Sequence, residues 1–169
     1  VTFAILPYRP HSAEALQAAK ASGKEAILHL PMMPQQASAA SEENTISPSM
    51  SDGEIRSIVE KALHSLPGVS GVNNHQGSLA TADSRVMKQV LNVLHNRGLF
   101  FVDSRTSSQS VGRMTARQLG VPAAENDLFL DNVDEVDAVK QKLRTAGNLA
   151  LRSGSAVVIG HARMHTATA

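Results

Sequence analysis

Short apolar runs recur along this chain at intervals that leave room for one helix each, and this alternation restricts the fold more than any other feature. The runs are FAILPY (residues 3 to 8), AILHL (26 to 30), GVSGV (68 to 72), LFFVD (99 to 103), LFLDN (128 to 132) and AVVIGH (156 to 161). Most lack a polar alternation, as strands covered on both faces do. Helix-period segments lie between them. SAEALQAAKASG sets Ala15, Leu16 and Ala19 on one face and stops at Gly23. SDGEIRSIVEKALHSLPG opens with Ser51 and Glu54 in capping-box spacing and carries Ile55, Ile58, Val59, Ala62, Leu63 and Leu66 as one stripe. ADSRVMKQVLNVLHNRG repeats the plan with Met87, Val90, Leu91 and Leu94 ahead of Gly98. SQSVGRMTARQLG has Val111, Met114 and Leu119 ahead of Gly120, and a segment over residues 134 to 152 has Val136, Val139 and Leu143 ahead of Gly154. A β-α-β-α order of this kind implies parallel strands joined by right-handed crossovers, either open and doubly wound or closed into a barrel. The exception is MMPQQASAASEENTISPSM, residues 32 to 50, a polar stretch with little to bury. It is expected to be a mobile loop on the strand-end side, placed as a lid.

At 169 residues the chain is expected to form a single domain, residues 1 to 169, with a core large enough to need no disulfide or metal staple. Its 16 Lys and Arg balance 15 Asp and Glu, and no basic stretch is interleaved with aromatics, which argues against nucleic acid and anionic membranes as partners. Cysteine is absent, so thiol catalysis and disulfides are excluded. No apolar run reaches the ~18 residues that a membrane-spanning helix needs, and no signal-peptide pattern is visible. The opening VTFAIL lies inside a strand-like run without an initiator Met, so an upstream part is expected to be missing.

Chemistry-bearing residues collect at the ends of the runs. AILHL delivers His29; GVSGV delivers Asn73, Asn74 and His75; LFFVD delivers Asp103, then Ser104 and Arg105; LFLDN delivers Asp131; AVVIGH delivers His161. In parallel α/β folds the strand C-termini converge on one face, and the active site forms there. His29, inside an apolar run, reads either as a satisfied buried histidine or as a ligand, and its pairing with His75 at the next strand end favours a metal. Asp103 reads as a cap for the SRTS turn or as a chemical group. Asp131 reads as a cap for the following helix. His161 reads as a proton donor aimed at the strand-end face, or as a structural hydrogen-bonding group. Tyr8 and Arg9 end the first run and are candidates to line a sugar subsite, a Pro-rich turn being the simpler account. His11, His64, His95 and His165 fall in loops or on polar helix faces and read as solvated.

The motifs EAILHLPM, GVNNHQGS, LFFVDSRTS, NDLFLDN and AVVIGH, in this order and over essentially the whole chain, resemble the divergent polysaccharide deacetylase family of bacteria. The resemblance implies a distorted (β/α) barrel of seven parallel strands, of which the first, bearing an Ile-Asp-Asp type motif with a metal ligand and a general base, is missing from this chain. It implies that His29 and His75 bind a metal, commonly zinc, that His161 is the general acid and Asp103 a site residue; Asn73, Asn74, Arg105 and Tyr8 are expected to meet substrate. This chain departs from the family pattern at Met33, where relatives usually carry Glu, at Gln76, usually Met, and at Asn126, usually Arg.

Two function classes follow. One is a zinc-dependent N-deacetylase acting on an amino-sugar polymer of the cell envelope, in the periplasm or another extracytoplasmic space. There the metal activates water and polarises the acetamide carbonyl, a carboxylate takes the proton, and His161 protonates the departing amine. Asn73 or Asn74 orients His75 or binds a sugar hydroxyl. With the upstream strand missing, these 169 residues alone are expected to bind zinc weakly and to catalyse nothing. The other class is a non-catalytic envelope protein that binds glycan or a protein partner through the same groove, and one Tyr, four Phe and no Trp provide no evident sugar-stacking platform. A nucleotide-binding open sheet is disfavoured because no Gly-rich phosphate loop follows any strand.

Overall fold

The computed structural model of the chain describes residues 1–36 and 42–169, arranged as two compact units, Val1–Ala123 and Ala124–Ala169. The first unit begins β1 (Thr2–Ile5), α1 (Ser12–Ala21), β2 (Glu25–Met32), α2 (Asp52–Ser65) and β3 (Gly71–Gln76). A 3-10 turn at Ala80–Ala82 leads into α3 (Ser84–Arg97), β4 (Phe100–Asp103) and α4 (Gly112–Gln118), and β5 (Ala123–Glu125) starts at the last residue of this unit. The sheet order is β1-β2-β3-β4-β5, and the ladders from β1 through β4 are parallel.

That order removes one of the two architectures the alternation allowed. A doubly wound sheet reverses direction at a switch point. Here every crossover steps to the next strand in the same direction, so right-handed connections leave the helices on one face. The sheet is singly wound, and it is compatible with a distorted barrel.

Strand periodicity sorts the side chains. Ile5 on β1, Ala26, Leu28, Leu30 and Met32 on β2, Val72 on β3 and Phe101 on β4 share one buried cluster with Leu16, Ile55, Val59, Leu63, Val90, Leu91 and Leu94 from the helices. The intervening positions, His29 and Pro31 on β2 and Asn73 and His75 on β3, therefore lie on the opposite face of the sheet.

Local signals were sound at the helix ends. Ser51 accepts from the Glu54 amide while Glu54 reaches back to the Ser51 amide, completing the capping box of α2. Gly98 and Gly154 end α3 and α5 (Val136–Ser153) in the left-handed conformation, with φ of 66° and 84°.

Other expectations need correction. Ala15 is exposed at the margin of the α1 stripe, which consists of Ser12, Leu16 and Ala19. Met114 is 57% exposed because α4 buries Gly112, Thr115 and Ala116 instead. On α5, Val139 and Ala146 are buried while Leu143 is exposed. β3 does not end before the polar residues; it continues through Gln76, and β5 falls on a stretch not identified as a strand. Part of the 32 to 50 segment, residues 37–41, lies outside the described residues. Its remainder is not without a core: Ile46 is fully buried, bridges Met32, donates its amide to Pro31 (2.9 Å) and accepts from that of Met33 (2.9 Å).

The second unit holds β6 (Leu128–Phe129) and β7 (Val158–Ile159), paired in parallel, together with α5 and α6 (Met164–Thr168). Among the described residues no helix is long and apolar enough to cross a membrane.

Candidate functional site

The β2 and β3 ladder pairs His29 with Asn73 and Pro31 with His75. The two histidines therefore share a face and stand one pleat repeat apart on neighbouring strands. Their rings meet edge-on, with centroids 4.8 Å apart and planes at 68°, and His29 Nε2 lies 3.1 Å from His75 Nδ1. That separation suits a hydrogen bond between neutral imidazoles. It also suits two corners of a tetrahedral ion, since Zn–N bonds of ~2.0–2.1 Å put ligand nitrogens about 3.3 Å apart. The donor set is thus the right chemistry for zinc, and the residues that would hold it are His29 and His75. Among the described residues no third His, Cys, Asp or Glu completes a metal cluster.

Glu42, which sequence reasoning passed over, faces His75 of this pair. Its Oε1 lies 3.9 Å from His75 Nε2, and its Oε2 is ion-paired with Arg9. Nothing local in SEENT distinguishes Glu42 from Glu43, so only the three-dimensional contact identifies it.

Asn73 and Asn74 are both buried. Asn73 Nδ2 donates to the Val102 carbonyl and to Ser104 Oγ, both at 2.7 Å. Asn74 Nδ2 donates to the Gln76 carbonyl at 2.7 Å, its Oδ1 accepts the Ser104 amide at 2.8 Å, and its own carbonyl accepts from Ser104 Oγ at 2.7 Å. These amides lash the end of β3 to the end of β4, and every one of these buried groups is satisfied.

Asp103 has the parity of Phe101 and so turns toward the helices, away from the face of the histidine pair. Its Oδ1 accepts the Arg105 amide at 2.8 Å and its Oδ2 accepts from Ser110 Oγ at 2.6 Å. Of the two roles open to it, turn capping is the one with partners in place. Gly112 permits this, because a Cβ there would stand 2.7 Å from Asp103 Oδ2 and 2.9 Å from the Phe101 ring.

Three non-glycine residues at or just beyond strand ends hold left-handed backbone: Tyr8 (φ 63°), Gln76 (φ 55°) and Arg105 (φ 53°). Such conformations cost of order 1 kcal/mol or more and concentrate at functional sites. Arg105 is exposed, and burial followed by the charge of Glu43 raises the Tyr8 phenol above its ordinary value.

In the second unit Asp131 is not a helix cap; Glu135 precedes α5, and the Asp131 carboxylate is directed elsewhere. Its Oδ2 accepts the His161 amide at 2.6 Å and Thr166 Oγ1 at 2.9 Å, and its Oδ1 meets His161 Nδ1 at 3.0 Å. Burial would raise the carboxyl, but the hydrogen bonds from the His161 ring and amide and from Thr166, with the His161 charge, outweigh it and hold it below its ordinary value. The His161 side chain is 61% exposed, an imidazole oriented by a buried carboxylate.

A family model described as divergent polysaccharide deacetylase matches residues 1–169. An uncharacterized protein of Haemophilus influenzae is 34% identical over 166 residues, taking in 98% of this chain and 59% of that protein. The uncharacterized protein YibQ of Escherichia coli is 35% identical over 161 residues, taking in 95% of this chain and 50% of YibQ. The chain thus spans about half the length of these relatives. The crystal structure of an uncharacterized protein from Agrobacterium tumefaciens matches with a TM-score of 0.95 at 21% identity, covering 99% of this chain and 69% of that one. At that identity the likeness shows the fold alone.

Proposed function

The chain belongs to the divergent polysaccharide deacetylase family, and from that premise we propose a metal-dependent hydrolase that removes N-acyl groups from an amino-sugar polymer of the cell envelope, in an extracytoplasmic space. The observation that carries this reading is the convergence of His29 Nε2 and His75 Nδ1 at 3.1 Å. A divalent cation held there, zinc in the first instance, supplies Lewis acidity toward a water and an acyl carbonyl.

The remaining roles belong to the chain's own groups. Asn73, Asn74 and Ser104 keep the β3 and β4 ends rigid, which holds His75 in place. His161 is the acid: Asp131 holds its Nδ1–H, leaving Nε2 to carry a proton to the departing amine nitrogen. Tyr8 and Arg105 are the groups proposed to meet substrate.

A second reading, a non-catalytic envelope component that binds glycan or a protein partner, has its own support. Met33 packs against the core, and Asn126 Oδ1 accepts the Leu128 amide at 3.2 Å, so both positions where relatives usually carry charge are given to structure.

The two readings separate on metal content and acetate release. For the enzyme, elemental analysis of the intact protein after dialysis should find about one zinc per chain, lost in His29→Ala and in His75→Ala. His161→Ala should keep the metal and lose acetate release from N-acetylated glycans by about 10²-fold or more. No metal in the wild type with zinc supplied, and no acetate, would leave the binding reading.

A further inference from the structure

His75 presents its two ring nitrogens to different partners. Nδ1 faces His29, and Nε2 faces the carboxylate of Glu42 at 3.9 Å, within ion-pair range and longer than a hydrogen bond. We infer that Glu42 is a positioning residue for His75: it attracts the proton to Nε2 and so turns the Nδ1 lone pair toward His29. The functional meaning of this inference rests on the proposed use of the pair as metal ligands.

Glu42 is itself held from several sides. Its side chain is 19% exposed, and its second carboxylate oxygen is ion-paired with Arg9 beyond the end of β1. Its backbone carbonyl accepts from Thr45 Oγ1 at 2.6 Å. Ile46, fully buried, donates its amide to the carbonyl of Pro31, the residue in register with His75. The short strap from Glu42 to Ile46 is thus anchored beside the strand position that His75 occupies.

A carboxylate placed on the far nitrogen of a histidine fixes its tautomer and ring orientation, and it raises the basicity of the other nitrogen. The arrangement runs Arg9 to Glu42 to His75 to His29, with alternating charge and hydrogen-bonding character. Nothing in it requires a metal to be present, so it can be tested in the absence of one.

The first readout is the His75 tautomer in the intact, metal-free protein, from nitrogen-15 correlations of the imidazoles above their titration range, with His75→Ala identifying the signal among seven histidines. The expected result is the Nε2–H form in the wild type, a tautomer mixture in Glu42→Ala, and retention of the form in Glu42→Gln, whose amide oxygen still accepts. The second readout is Co²⁺ affinity from its visible absorption, expected to weaken about 10–100-fold in Glu42→Ala. An unchanged tautomer in Glu42→Ala overturns the inference, as does unchanged Co²⁺ affinity in a protein that binds the ion. A tautomer that responds to Glu42 in a wild type that takes up no Co²⁺ upholds the positioning role and removes the metal reading.

Discussion

Tyr8 is the sole tyrosine in a chain without tryptophan, so its phenol can be followed with no competing chromophore. Burial and then Glu43 raise its pKa above the ordinary 10.0, which keeps the hydroxyl protonated and able to donate. The phenolate absorbance should therefore show a midpoint above 10.0, and Glu43→Gln should bring it down part of the way because burial persists. A wild-type midpoint at or below 10.0 would contradict the placement of Tyr8. At this scale the imidazoles were visible in the sequence as polar residues in or after apolar runs, although His29 lies inside β2 rather than at its end. Asp131 was misread since FLDNVDE has the local form of a cap, while its partner His161 is 30 residues away. Glu42 had no local signature at all.

Between β4 and α4 the packing tolerance is set by one missing methyl. Gly112→Ala would ordinarily help a helix, but the added carbon has to displace the Asp103 carboxylate and the Phe101 ring. We expect a net loss of about 1–3 kcal/mol, read as a fall of roughly 2–4 °C in Tm per kcal/mol. A Tm equal to the wild type's or higher would show that the turn has room to shift. Elements whose signals lie within a few residues, such as the α2 capping box and the left-handed Gly98, could be read in advance. β5 could not, since Ala-Ala-Glu carries no strand preference. Nor could the true end of β3, which depends on Asn73 and Asn74 finding Val102, Ser104 and Gln76.

For the molecule as a whole, Asp131 ties stability to acid. Its folded pKa lies below the ordinary 3.8, so its contribution is fully present above that value and is lost as pH falls through the lower folded one. The gap in urea midpoint between wild type and Asp131→Asn should narrow as pH falls below about 4. A gap that stayed constant deep into acid would mean the carboxylate is not selectively stabilised in the folded state. The β-α alternation announced parallel strands, yet it is common to doubly wound sheets and barrels, and only the sequential strand order rules out the doubly wound one. The pairing of β2 with β3 has a further consequence for how such a protein can change over generations. A slip of one residue would send an imidazole to the helix side and a leucine to the other. A lineage selected only for a well-packed interior would thus go on inheriting two facing histidines, whether or not their chemistry was still in use, until a substitution struck the histidines themselves.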